Sequence, residues 1–180
     1  MTSRPPFIGQ DWVLAQDGRW FRRGARVVLL DAQDRVLLLR AHDVDDPDHR
    51  WWFTVGGGVA PGEDERDAAV REAAEEVGIR LVAPDLLGPV LTRAAVFDFA
   101  RVACRQDETF FLARVERHDD PGVDRSAWTA IEHETVDEVR WFGLDELAAV
   151  PIAVYPEGLV ELLRGWIGGW DGTAPHIDAT

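Results

Sequence analysis

The sequence predicts an α/β fold, and three observations carry that reading. Short runs rich in Val, Leu and Phe recur between turn-forming clusters, the pattern of buried strands. A central stretch switches to a helical repeat, with Ala69, Val70, Ala73, Ala74 and Val77 on one arc at roughly 100° per residue. A second helical repeat, Leu159, Val160, Leu162, Leu163 and Ile167, begins just after Pro156, a residue suited to a helix start.

Taken in order, residues 1–24 carry Trp12, Trp20 and Phe21 around Asp17-Gly18, which predicts a short hairpin in an arm packed on the main domain. Arg22, Arg23 and Arg26 are expected on a solvated face. Ala25 to Leu30 and Arg35 to Arg40, separated by Asp31-Ala32-Gln33-Asp34, read as a buried hairpin. The polar loop after them holds His42 and His49 without a spacing that converges them on a metal. Trp51, Trp52 and Phe53 form a short aromatic strand that should end at Gly56-Gly57-Gly58, where the glycines and Pro61-Gly62 predict a loop.

A helix follows, capped by Glu63 or Asp64 and stopped by Gly78 in a left-handed conformation, with Ile79 folding back on it. Strands are expected at Ile79 to Ala83, Val90 to Phe99, Val102 to Val115 and Val139 to Phe142, with a loop at Arg117 to Ser126. Leu144 to Val150 reads as a short helix and Pro156 to Ile167 as a longer one docked on the core. The aperiodic Gly, Pro and Asp content after residue 168 predicts a frayed tail. The expected organisation is an arm (1–24), one domain (25–168) and a tail (169–180).

Composition narrows the function. With 46% hydrophobic and 29% charged residues in 180, a single globular domain suffices, and no apolar run approaches the roughly 18 residues of a membrane span. The start, MTSRPPFIGQDW, has no apolar core of a signal peptide. A single cysteine, Cys104, excludes an internal disulfide, and a cytoplasmic location is expected. The formal charge of −14 argues against a general nucleic-acid binder, although an acidic protein can hold a polyphosphate through bound cations. All 19 basic residues are arginine, which removes a P-loop lysine and any Schiff-base mechanism.

The stretch from Gly56 to Ile79 concentrates the chemistry. Glu72, Glu75 and Glu76 fall on the arc beside the apolar one, at spacings of three and four residues. Exposed carboxylates so placed repel by only a few tenths of a kcal/mol, so the spacing alone is equally compatible with a solvated face. The glycine-rich segment beside them adds backbone carbonyls, and hard oxygen donors select Mg²⁺, Mn²⁺ or Ca²⁺. Arg71 can pair with Glu75 or Glu63 and hold the loop against the helix.

Gly57, Glu63, Arg71, Glu72, Glu75, Glu76, Gly78 and Ile79 together match the box of the Nudix hydrolases, Gx5Ex7REUxEExGU with U apolar, and the stretch resembles that family at every fixed position. Ala73, small for the first U, is the one soft departure. The resemblance implies a Nudix-like α/β/α sandwich with a mixed central β-sheet. It also implies metal-dependent hydrolysis, with Mg²⁺ or Mn²⁺, of a nucleoside diphosphate linked to another moiety, by water attack at phosphorus. By motif position, Glu75 and Glu76 would bind metal, the Gly56 carbonyl would be a third ligand, and Glu72 would be a ligand or the general base. Gly57, Glu63, Arg71 and Gly78 would be structural. A further glutamate outside the box is expected, with Glu134 the first choice, Glu132 next and Glu108 third.

For a small nucleotide substrate, Trp51, Trp52, Phe97 and Trp128 are candidate stacking residues and Arg40 and Arg93 candidate phosphate ligands, with Glu108 also near the substrate. Two other readings follow from the same resemblance: a nucleotide-sensing module without hydrolysis, and an isoprenyl-diphosphate isomerase using Cys104. A homodimer is a further expectation, because the arm with its tryptophans can pack on a partner.

Overall fold

A computed structural model describes residues 4–5, 8–99, 102–116, 125 and 128–179. The strands are β1 (Val13–Leu14), β2 (Trp20–Leu30), β3 (Val36–His42), β4 (Arg50–Gly58), β5 (Leu87–Phe99), β6 (Val102–Arg114), β7 (Val136–Phe142), β8 (Ala153–Tyr155) and β9 (His176–Ala179). The helices are α1 (Glu65–Val77), α2 (Ala130–Thr135), α3 (Leu144–Ala148) and α4 (Leu159–Ile167). One mixed sheet runs in the order β7-β3-β4-β2-β6-β5-β9, with β1 beside β2 and β8 beside β4. No described helix is long and apolar enough to cross a membrane.

Strand β2 is the axis of the sheet. It pairs in parallel with β6 from Trp20↔Cys104 to Leu30↔Arg114, and antiparallel with β4 from Gly24↔Gly58 to Val27↔Val55. Alternation then sorts its side chains into two cores. Ala25, Val27 and Leu29 join Phe111, Ala113 and the α1 residues Ala68, Ala69, Ala73 and Val77 on one face. Val28 and Leu30 join Phe110, Leu112, Trp52, Phe142 and the α4 residues Leu159, Leu163 and Trp166 on the other. Helices therefore cover both faces, the expected α/β/α layering.

Several local expectations change. The segments around Leu30 and Val36 touch only at their turn, because β4 inserts between β2 and β3. Gly56-Gly57-Gly58 is not a loop but the end of β4, since bare backbones opposite Arg26, Ala25 and Gly24 can still pair. The stretch Ile79 to Ala83 forms no strand; a 3-10 turn at Ala83–Asp85 closes the link to β5 instead. Residues 176–179, expected to fray, add β9 in parallel to β5. Backbone hydrogen bonds suffice for that pairing, so side-chain periodicity gave no sign of it. The expected β1–β2 hairpin is present, with Gly18 at φ +84. Its tryptophans are spent inside the chain: Trp12 and Trp20 pack with Ile8 and Cys104 in a third small core. The expected loop 117–126 lies mostly outside the described residues.

The β2–β3 turn is held by Asp31, fully buried. Its carboxylate accepts from Gln33 N (2.9 Å), Arg35 N (2.9 Å) and Arg35 Nε (2.8 Å). Burial penalises its charge, but the Arg35 and Gln33 donors outweigh that penalty and hold the carboxyl below the usual carboxylate range. A lowered folded-state pKa gives stability that is fully present above the unfolded value near ~4 and is lost as pH falls through the folded one. Asp31→Ala should lower unfolding stability by about 1–3 kcal/mol in urea titrations at pH 7. The deficit relative to the unaltered protein should shrink below about pH 4.

Candidate active site

Helix α1 starts where Asp64 caps it, its side chain accepting from Arg66 N at 2.9 Å, with Glu65 and Asp67 in the first turn at the positive end of the dipole. It stops at Gly78, whose φ of +68 lets Gly78 N and Ile79 N donate back to Ala74 O and Ala73 O. Ala68 and Ala69 are buried, whereas Ala74, expected to face the sheet, is exposed. The apolar arc is thus rotated toward Ala68, and the same rotation takes Glu72 and Glu76 inward. They are 7% and 5% exposed, so this arc is not a solvated face.

Arg71 organises the segment. Its Nε and Nη2 grip both Glu63 oxygens at 2.8 and 2.9 Å, Nη2 donates to Gly58 O at 2.9 Å, and Nη1 donates to Glu72 at 2.7 Å and Glu75 at 3.0 Å. Loop, strand end and helix are tied to one guanidinium. The bond from Arg71, helped by Ala60 N at 2.8 Å, holds the Glu63 carboxyl below its ordinary range.

The two buried glutamates shift the other way from Glu63. Burial pushes Glu72 up, against the pull of Arg71. Burial, then the charge of Glu72, pushes Glu76 well up, while the bond from Gly56 N (2.7 Å) and the charge of Arg26 oppose the rise. Gly57 makes this packing possible: a Cβ there would lie 2.7 Å from the Glu72 carboxylate carbon and both its oxygens.

These groups are all oxygen donors, and two of them are buried carboxylates raised by desolvation and by the charges of neighbouring carboxylates, which a hard cation would relieve. They fit Mg²⁺ or Mn²⁺ chemically. Among the described residues, no three His, Cys, Asp or Glu side chains converge as a ready ligand set. Arg71 takes Glu72 and Glu75, and Gly56 N takes Glu76.

Outside the box, the expectations divide. Glu134 lies exposed on α2. Glu132 closes a capping box with Thr129, and its charge is the one from α2 that bears on both Glu72 and Glu76. Trp128, a stacking candidate by residue type, instead fastens this region to α1, its Nε1 donating to Glu76 O at 3.0 Å. The Thr129-x-x-Glu132 capping box is the one local sign of α2 in the sequence.

Glu108 is 3% exposed and held below the usual range because Arg26 and Arg93 outweigh the burial penalty. Arg93 donates to Glu108 at 2.7 Å and grips Glu157 with two bonds at 2.9 and 3.0 Å. Arg40 pairs with Glu138 at 2.9 Å and lies over the Trp52 ring. Trp52 is a core residue, edge-on to Phe142, rather than a free stacking platform. Trp51 is half-buried against His49, and Phe97 meets Trp12 edge-on. Cys104 is fully buried under the arm with Ile8, Trp12 and Trp20, which removes it from the isomerase reading. Arg26, expected on a solvated face, is instead mostly buried, because Gly56 leaves room for it.

A mixed sheet between helix layers, with a helix presenting buried glutamates to a glycine strand end, defines a class that comparison with known proteins identifies. The NUDIX domain model matches residues 20–163, and the chain belongs to the Nudix family. It is a Nudix-type hydrolase, whose reaction class is hydrolysis of a pyrophosphate bond. It is 29% identical over 174 residues to an RNA pyrophosphohydrolase of Rhodospirillum rubrum, covering 90% of this chain and 94% of that protein. Other matches are local. That to the dihydroneopterin triphosphate diphosphatase of Escherichia coli is 47% identical over 62 residues, 33% of this chain and 39% of that protein. That to the Bacillus subtilis Nudix hydrolase YvcI spans 35% of the relative's length. In fold, the chain is similar to the C. elegans Ap4A hydrolase (TM-score 0.55, 21% identity, 82% of this chain and 96% of that one). It is likewise similar to the E. coli dihydroneopterin triphosphate pyrophosphohydrolase (TM-score 0.52, 22% identity, 82% and 97%).

Gly57→Ala should drive a methyl into the Glu72 carboxylate. The expected cost is about 1–3 kcal/mol of stability, read as a lowered midpoint in thermal or urea unfolding. An unchanged midpoint would show that Glu72 does not need the bare backbone.

Proposed function

We propose that this chain uses Mg²⁺ or Mn²⁺ to cleave a pyrophosphate bond in a nucleoside diphosphate linked to another moiety, by attack of water at phosphorus. The observation that carries the reading is the buried pair Glu72 and Glu76, charged groups placed where burial alone is costly and set against the Gly56–Gly57 backbone. Glu72, Glu75, Glu76 and the Gly56 carbonyl would hold the cation. Bound there, it would supply charge neutralisation at the phosphoryl oxygens.

The remaining roles fall to the chain itself. Glu72 serves either as a ligand of the cation or as the group that takes a proton from the attacking water. Glu134 and Glu132 on α2 are the alternatives for that proton transfer, and the reach of the Glu132 charge to Glu72 and Glu76 favours Glu132 of the two. Gly57, Glu63, Arg71 and Gly78 keep loop and helix in register, as their hydrogen bonds and backbone angles support. Arg40, Arg93, Trp52 and Glu108 would shape the substrate face through their mutual pairing and stacking rather than as free ligands. The relative named for dihydroneopterin triphosphate supports a small nucleotide-like substrate. A cytoplasmic location fits a chain whose single cysteine is buried.

Nucleotide and phosphate release should be measured with dinucleoside polyphosphates, nucleotide sugars, ADP-ribose and nucleoside triphosphates in Mg²⁺ and Mn²⁺. Glu76→Gln keeps an acceptor for Gly56 N, so the fold should persist. Its turnover on the best substrate should fall at least ~100-fold, about 2.7 kcal/mol. Unchanged turnover across the panel would sink the assignment.

A further inference from the structure

Three bare backbones on one face of the sheet have side chains lying across them. A Cβ at Gly24 would come within 2.7 Å of Gln106 Nε2, one at Gly58 within 2.0 Å of Asp11 Oδ2, and one at Gly56 within 2.6 Å of Arg26 Cα and 2.9 Å of its Cγ. Gly56 sits at φ +138, a conformation that side-chain-bearing residues rarely adopt, and its partner across the ladder is Arg26. The strand end is therefore laid against the β2 backbone at Ala25 and Arg26, with the Arg26 side chain beside it.

Two nitrogens of the guanidinium are engaged there. Its Nη1 donates to Thr54 O at 2.9 Å and to Gly56 O at 3.0 Å, while Nε donates to Glu108. Glu108 is in turn fixed by Arg93 Nη1 at 2.7 Å and Gln106 Nε2 at 2.6 Å. On the other side of the same residue, Gly56 N donates to Glu76 at 2.7 Å. The backbone of Gly56 is thus held at its N–H by a carboxylate of α1 and at its C=O by an arginine of β2. A carbonyl oxygen has two lone pairs, so one taken by Arg26 leaves the other for a second partner.

We propose that Arg26 is a positioning residue that aims the free lone pair of the Gly56 carbonyl at the metal, with Glu108 as the anchor that fixes the guanidinium. The inference rests on the metal-dependent reading above. It gives the buried Arg26–Glu108 pair a task other than general stability, and it explains why a cation is kept beside a site meant for another cation. By charge alone Arg26 would repel the metal; by geometry it orients the metal's ligand. The two effects have opposite signs in a binding experiment.

Arg26→Lys keeps the charge, but an ammonium cannot span Glu108 and two carbonyls as a guanidinium fork does. Arg26→Gln removes the charge. Mn²⁺ binding to the full chain, followed by loss of the free-ion paramagnetic resonance signal without substrate, should weaken about tenfold in Arg26→Lys and further in Arg26→Gln. Circular dichroism should show both folded; if Arg26→Gln does not fold, Arg26→Lys carries the test. Unchanged affinity in Arg26→Lys, or tighter binding in Arg26→Gln, overturns the proposal while leaving the metal-dependent reading intact. Absence of Mn²⁺ binding in the unaltered protein overturns both.

Discussion

One guanidinium holds the functional half of the molecule together. Arg71 is bonded to Glu63 in the loop, to the carbonyl of Gly58 at the strand end, and to Glu72 and Glu75 on the helix. Without it, three carboxylates would face one another at short range in a partly desolvated place, and the loop would keep its local bonds between Ala60 and Glu63 but lose its tie to the helix. The planar fork matters as much as the charge, since a point-like ammonium could not serve four partners in three directions. That every basic residue in the chain is arginine accords with how often charge is used here as a geometric tie.

The glycine strand end lets two systems of charge meet back to back. On one face Gly57 receives the Glu72 carboxylate; on the other Gly24, Gly56 and Gly58 receive Gln106, Arg26 and Asp11. From Asp11 through Arg22, Gln106 and Glu108 to Arg26, consecutive hydrogen bonds link the N-terminal arm to the Gly56 carbonyl. The arm is thus wired to the centre of the site through side chains, although its own core of Ile8, Trp12, Trp20 and Cys104 is separate from the two main ones.

What could be read in advance was what is local. The α1 helix announced itself through its cap, its stop and its spacing, and Arg71 meets both partners that its spacing suggested. The glycines misled because they usually break strands, whereas here a neighbouring strand needed bare backbone to approach. Burial of Glu72 and Glu76 depended on the helix's rotation, which a repeat of small alanines leaves loosely specified. Arg26 was unreadable because its role depends on register: nothing local says that residue 26 lies across from residue 56. Trp128 and Glu157 likewise meet their partners, Glu76 and Arg93, across more than fifty residues of chain, at |i−j| of 52 and 64.

The parallel pairing of β2 with β6 reaches beyond the folded state. It spans the full length of β2, yet its partners are about 84 positions apart, as the Arg22–Gln106 bond shows. During synthesis the N-terminal strands and α1 emerge first, and one edge of β2 must wait, unpaired, until β6 leaves the ribosome. The glutamate helix can form early, but the anchor for Arg26, Glu108, arrives only with β6. Completion of the central sheet and completion of the Gly56 clamp are therefore one event in the life of the chain.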